Sequence, residues 1–471
     1  MSIDFTIFVG VLVLVGIASV VLAPRSRTIG SFFSGEDEEG RAPGVFTLTF
    51  SQVTTWIFAR SLLNAGILGY LFGIAGALAY TVYYGSFLTG ALVVDRLRAV
   101  HDADGVQGFL RTKFGRAGAA CYNAVVSLRL LSEVFANLLV VGIVFEAAGP
   151  WAADGAILAV AGVALAYSMT GGLQASLRTD VLQTSLLLVI IAVPVALMIG
   201  HDAFAVGDLV ASSPELRSPG WVLLVVAFLQ IPSYPLHDPV MMDRSFLADR
   251  RTTRRSLVYA FGLASTLIFG FGLLGVFAGL HAGDAGAFLG GLEQMLGPTT
   301  MFFVGLALVL SAASTMDSTF SSVSKLIVLD MDLGQRRLRD GRIAMAGFAV
   351  GGLALVYLGT DDLFAAVAVS GTASLFLTPV IVFSILLDWA VARWSFVATF
   401  GVAMAGSVLY FLEDSGYVSL IEQATGLGHS YSQLLVVTAG ILGIGFGLFA
   451  LGTRTGTASP VSAESHTAPT A

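Results

Sequence analysis

Charge is what this chain is short of. Only 12% of its 471 residues are Asp, Glu, Lys or Arg, against 56% hydrophobic residues and a mean hydropathy of +0.85. Such a balance excludes a soluble protein and points to an integral membrane protein with many spans. Cysteine is nearly absent: Cys121 stands alone, which rules out a disulfide framework or a cysteine-built metal site. Lysine is almost as scarce, with Lys113 and Lys325 the only two among 24 basic residues. No Lys or Arg precedes the first apolar run, Phe5 to Leu22, and Asp4 stands in front of it, so it lacks the basic leader of a cleaved signal and reads as a retained span. Connecting stretches are too short for a sizeable soluble domain, and no nucleic-acid partner is expected.

The basic residues that are present cluster in alternate loops. Arg25, Arg27 and Arg41 are followed by Arg96, Arg98, Arg111, Lys113 and Arg116, then Arg178, then Arg244, Arg250, Arg251, Arg254 and Arg255. Lys325, Arg336, Arg337, Arg339 and Arg342 continue the series, then Arg393 and Arg454, whereas the intervening loops hold only Arg217. The positive-inside rule then places the N-terminus outside and the C-terminus in the cytoplasm, which needs an odd number of spans. Apolar runs near 5–23, 44–68, 73–96, 118–148, 152–169, 177–199, 219–242, 256–281, 299–328, 342–359, 362–388, 392–412 and 432–452 supply thirteen. Short external helices are expected at 283–297 and 415–427, and a disordered Ser/Thr/Ala/Pro tail at 454–471.

One span carries a line of hydroxyls. Within 301–330, about 100° per residue puts Ser311, Ser314, Thr315, Ser318, Ser322 and Lys325 in one sector, with Ala313, Met316, Phe320 and Val323 opposite. A hydroxyl in hydrocarbon needs a partner, so the row implies a neighbouring helix, a water path or a hard cation. Bonding back to the helix's own carbonyls is the local alternative for any single serine.

Two spans are irregular. The second holds Ser51, Gln52, Thr54, Thr55, Arg60, Ser61 and Asn64, and an arginine at that depth must face a cavity or a counter-charge. The seventh has Pro232, Pro235 and Pro239 within eight residues and reads as a broken helix. Each opens a run of five spans, 43–199 and 219–388, with one helix before (1–25) and two after (392–453). An odd number per repeat makes the two runs opposite in direction, the inverted-repeat plan of secondary transporters with discontinuous helices at the binding site. Elsewhere, Arg129 and Glu133 at i, i+4 read as an ion pair. Gly171-Gly172 turns the chain ahead of Asp180 and Gln183, where a carboxylate can cap the helix, bind a cation or carry a proton.

Gly171-Gly172 followed by Thr179-Asp180 and Gln183, Ser314-Thr315 followed by Asp330, and the Arg-bearing segment 239–249 resemble the sodium:solute symporters. The resemblance implies an all-α membrane fold of thirteen helices, two inverted five-helix repeats similar to LeuT, and a sodium ion between the first helix of one repeat and the third of the other. Its implied ligands are the hydroxyls of Ser314 and Thr315, a carbonyl from Ser311, carbonyls near Thr54 and Ile57, and, for a further sodium, Asp180 and Ser318. The chemistry of the residues agrees, because a hard cation takes hydroxyl and carbonyl oxygens and a broken helix frees carbonyls. The implied substrate cavity offers Gln52, Thr55, Arg60, Arg129, Tyr234, His237 and Asp238. Val240 falls where sugar carriers have a tyrosine gate, so sugar is disfavoured.

Asp317 and Arg60 depart from the family pattern. They are expected to neutralise each other, or Arg60 to meet Asp180, to face a substrate carboxylate, or to stand in for sodium. The expectation overall is a carrier, not an enzyme, in the plasma membrane, a monomer or weak homo-oligomer. It would couple sodium to uptake of a small organic solute, a carboxylate or amino acid. Proton-coupled or uncoupled transport and a transporter-like sensor are the alternatives.

Overall fold

In lipid every backbone amide and carbonyl must be satisfied within its own segment, and a chain this apolar therefore folds as helices. The computed structural model describes residues 3–37, 39–283, 287–358 and 371–453. The 454–471 tail and the first part of the expected 362–388 span lie outside the described residues. α1 (Ile3–Leu22) leads into the short α2 (Ile29–Ser34), then α3 (Val45–Trp56), α4 (Ala59–Val82), α5 (Ser86–His101), α6 (Val106–Phe145) and α7 (Pro150–Ile199). After the small α8 (Val206–Ala211) come α9 (Pro219–Gln230), α10 (Tyr234–His237), α11 (Pro239–Ser245), α12 (Arg250–His281), α13 (Phe288–Lys325) and α14 (Leu338–Leu358). The apolar helix Gly371–Leu386 and the helices Arg393–Asp414, Leu420–Thr425 and Ser430–Gly452 complete the described chain.

Nine helices among the described residues are long and apolar enough to cross a membrane, and the chain is a multi-pass membrane protein. Several expected spans meet end to end in one helical run. The spans at 152–169 and 177–199 are both in α7, bent at Gly172, whose φ of 56° only glycine adopts without strain. The helix expected near 283–297 joins α13 through Gly297, at φ 75° just ahead of Pro298. Two other expected spans are interrupted as anticipated: α3 gives way to α4 at Ile57–Phe58, and the three prolines split the seventh into α9, α10 and α11.

Close backbone approach holds the centre together. α12 lies along α4, where a Cβ on Gly275 would overlap the Gly66 carbonyl and one on Gly279 the Tyr70 carbonyl. Small residues at such a crossing let two helices exchange van der Waals contact over a long stretch, the main attraction available within lipid. α13 packs along α7, and both pack against α3, so the hydroxyl row and the first break are brought face to face. α1 stays outermost, packed on α7 and α13 but presenting Leu14, Ile17 and Val21 outward, as a lipid-facing helix should.

Candidate functional site: a hydroxyl–carbonyl cage and an arginine pocket

The break after Trp56 releases backbone groups in the middle of the molecule. Ile57 leaves helical geometry at φ −90°, ψ 73°, and the amide of Ala59 finds the side-chain oxygen of Asn137 at 3.0 Å. The carbonyls exposed by the same break point at α13. Ser311 donates its hydroxyl to the Ile57 carbonyl, and Thr315 Oγ1 donates to the Thr54 carbonyl at 3.2 Å. On the same face Ser314 and Ser318 reach Asp180 Oδ1 at 3.4 and 3.5 Å. All of these groups are buried. The structure thus draws together all seven residues expected around sodium: Thr54, Ile57, Ser311, Ser314, Thr315, Asp180 and Ser318. Ser311 contributes its hydroxyl to this meeting, whereas the sequence pointed to its carbonyl.

Asp180 is not a helix cap, and its counter-ion is not Arg60. Its Oδ2 faces Arg244 Nη2 at 3.4 Å and accepts from Ser51 Oγ at 2.5 Å. Arg244 Nε also donates to Ser51 at 2.5 Å, and its Nη2 to Ser176 and Ser318 at 2.9 Å each. Arg244, expected among the loop cations, instead lies in α11, wholly buried, beyond the last proline of the broken helix. The sequence signal was present but masked. Val240 and Arg244 are at i, i+4 on a short helix, yet Arg244 opens a basic run to Arg255 that reads as loop. Lys325, also counted as a loop cation, ends the hydroxyl row in an ion pair with Asp243 at 2.5 Å.

Asp317 does not meet Arg60 either. Its carboxylate is clasped against α7 by Tyr167 (2.8 Å), Ser176 (2.7 Å) and Thr179 (2.9 Å), with Ser318 at 3.3 Å. Through these hydroxyls Asp317 ties α7 to α13.

Arg60 and Arg129 flank one aromatic ring, with guanidinium carbons 5.6 and 5.2 Å from the centroid of Phe58. Arg129 is balanced by Glu133 and Asp238, each at 3.6 Å, so the expected i, i+4 pair exists and gains a second acid. A cavity of about 70 Å³ opens beside them, lined by Arg60, Arg129, Tyr234 and His237 together with Trp56, Asn64 and a cluster of tyrosines. Three expected substrate residues do not line it. Gln52 turns to the Met241 carbonyl (3.3 Å) and Ser245 (3.2 Å), Thr55 bonds back to the Gln52 carbonyl (2.8 Å), and Asp238 caps the amide of Met241 (2.9 Å). Thr55 sits on the helical side of the break, where a local carbonyl is near enough to compete, whereas Gln52 reaches across to α11.

A second cavity, of about 670 Å³, lies on the other side of the second break. His237 lines the small one, and Pro239 and Met242 line the large one, with Asp238 between them. Both lysines of the chain line the larger cavity, Lys113 on Asp388 at 2.7 Å and Lys325 on Asp243.

Interrupted helices from two halves of the chain, meeting at a buried polar centre between two cavities, define the LeuT-like transporter fold. Solved structures share it. A Na+-coupled sialic acid symporter, in a substrate-bound outward-open state described as revealing a novel Na+ site, superposes with a TM-score of 0.70, 15% identity, and 96% of this chain covering 98% of that one. Mhp1, a nucleobase-cation-symport-1 family transporter, in a closed conformation with bromovinylhydantoin bound, gives 0.55 at 13% identity, covering 89% and 94%. No protein-family model matches the sequence, and no curated protein does.

Proposed function

We propose that this protein is a secondary transporter that couples an inward sodium gradient to uptake of a small organic solute by alternating access. The observation that carries the reading is the meeting of the Ile57 and Thr54 carbonyls with the hydroxyls of Ser311 and Thr315. These are uncharged oxygens from two separate helices, with Asp180 beside them, which is the donor set a hard monovalent cation accepts. When sodium enters, each hydroxyl turns its lone pair to the ion and releases the carbonyl it now bonds, so α3 and α13 are bridged through the cation. Asp180 adds negative charge where little water screens it.

The solute reading rests on the pocket around Arg60. The arrangement of the two cavities around the second break supports alternating access, with the interrupted helices as the moving divide. The fold shared with a sodium-coupled symporter adds to the reading, and that relative's solute is, by its name, an acid. We place the protein in the plasma membrane, N-terminus outside and C-terminus in the cytoplasm, as a monomer or weak homo-oligomer.

The test is solute uptake into proteoliposomes with and without an inward sodium gradient, with choline replacing sodium and pH varied separately. Uptake that rises with sodium at constant pH is expected. Uptake that follows pH alone would assign the coupling to protons and remove sodium from the cage.

A further inference from the structure

We infer that the small cavity beside Phe58 is built for a short monocarboxylate anion, and not for a zwitterionic amino acid or a sugar; this rests on the carrier reading above and names its solute class.

Donors outnumber free acceptors on the cavity wall. Arg60 lines the cavity, is 97% shielded from solvent, and has no carboxylate within ion-pair distance among the described residues. Its Nε and Nη1 lack hydrogen-bond partners, as do Asn64 Nδ2 and Trp56 Nε1 from the same wall. Each of these orphaned atoms is a donor. A buried guanidinium without an anion is unfavourable at membrane depth, and a planar carboxylate matches its fork.

Two acceptors of the wall are already engaged. Gln230 Oε1 takes the hydroxyl of Tyr83 at 2.9 Å, and Ser61 Oγ that of Tyr80 at 3.2 Å. The nearest acids, Glu133 and Asp238, stand behind Arg129 and do not line the space. An ammonium entering here would meet Arg60 and Arg129 and find no carboxylate on the cavity wall. A sugar would need alternating donors and acceptors and more room. The volume of about 70 Å³ is roughly half that of an engineered cavity that takes benzene. Leu68, Leu223 and Leu434 give the wall an apolar part. One carboxylate on a short, mostly apolar body satisfies all of these surfaces.

The experiment uses the full chain in proteoliposomes, with labelled propionate as the probe under an inward sodium gradient. Acetate, pyruvate and lactate are expected to compete; glycine, L-alanine and D-glucose are not. Arg60→Gln is expected to weaken propionate binding by roughly tenfold or more, and Arg60→Lys by less. Sodium-induced thermal stabilisation retained in both variants shows that they are folded. Competition by L-alanine equal to that of lactate overturns the inference, as does an Arg60→Gln variant that binds propionate like the parent. Propionate uptake competed by lactate but indifferent to sodium would uphold the solute class and reject the coupling. Sodium-driven uptake of L-alanine with no response to propionate would do the reverse.

Discussion

Arg244 Nη2 lies 3.4 Å from Asp180 Oδ2, both side chains fully buried, and three serines from α3, α7 and α13 bond to one or both of them. One guanidinium thereby ties four helices together beside the cage. Removing either partner leaves the other charge buried without compensation, which costs about 3–5 kcal/mol. Arg244→Ala and Asp180→Ala are each expected to lower the melting temperature of the detergent-solubilised protein sharply. Asp180→Ala combined with Arg244→Ala should cost less than the sum of the two single changes. Additive losses would show that the two residues do not act as a pair.

The cage makes a different demand, on affinity more than on folding. Thr315→Val keeps the shape of the side chain and deletes the oxygen that meets the Thr54 carbonyl. A lost charged-partner interaction is worth about 1.5–3 kcal/mol. Half-saturating sodium for uptake should therefore rise by roughly ten- to a hundredfold, while melting in the absence of sodium falls only modestly, because the Thr54 carbonyl loses its donor. Ser311→Ala should act in the same direction. An unaltered sodium dependence in both variants would place the ion elsewhere.

Gly275→Val tests the crossing of α4 and α12. The new side chain would have to occupy the position of the Gly66 carbonyl, and backbone cannot move aside as a flexible side chain can. Loss of monodisperse protein after solubilisation is expected. Gly440→Val, in a helix where an added Cβ meets nothing, serves as the control and should be recovered like the parent.

Asp249 gives a pH dependence outside the membrane. It caps α12 by accepting from the amides of Arg251 (2.9 Å) and Thr252 (3.1 Å), and hydrogen bonds from the Thr252 side chain and amide hold its carboxyl below the usual carboxylate range. A carboxyl depressed in the folded state stabilises above the unfolded value, about pH 4, and that contribution disappears as pH falls through the folded value. Asp249→Ala should therefore melt below the parent at pH 7, with the gap narrowing under acid. Asp249→Asn, which caps without titrating, should keep a gap to Asp249→Ala under acid as well. A gap between parent and Asp249→Ala that is constant with pH would show that the cap's charge is irrelevant.

Local chemistry accounts for what was legible in advance. Hydropathy marks the membrane segments, three prolines within eight residues mark the second break, and the spacing of Ser311, Ser314, Thr315 and Ser318 marks a shared polar face. Each of these signals lies within a few turns of one helix. Where the sequence went astray, the missing information was relational. Arg60 and Asp317 looked like candidates for mutual neutralisation because both are charges inside spans; in the structure Asp317 turns to Tyr167, Ser176 and Thr179 on α7, while Arg60 faces the small cavity. Gln52 and Thr55 looked like substrate contacts because they are polar at membrane depth, yet each found a backbone carbonyl close by.

By itself, then, the chain determined that it crosses lipid repeatedly, where its helices fail, and which faces of them are polar. The 3.6-residue period and the cost of unpaired polar groups in hydrocarbon operate along a single segment. Tertiary structure alone decided that Asp180 answers Arg244, that the hydroxyl row meets the carbonyls of the first break, and that Arg60 is left facing open space. Those outcomes depend on how helices distant in sequence rotate and cross, and the crossing is set by the close approach of small residues such as Gly66 and Gly275, which no single-helix pattern encodes.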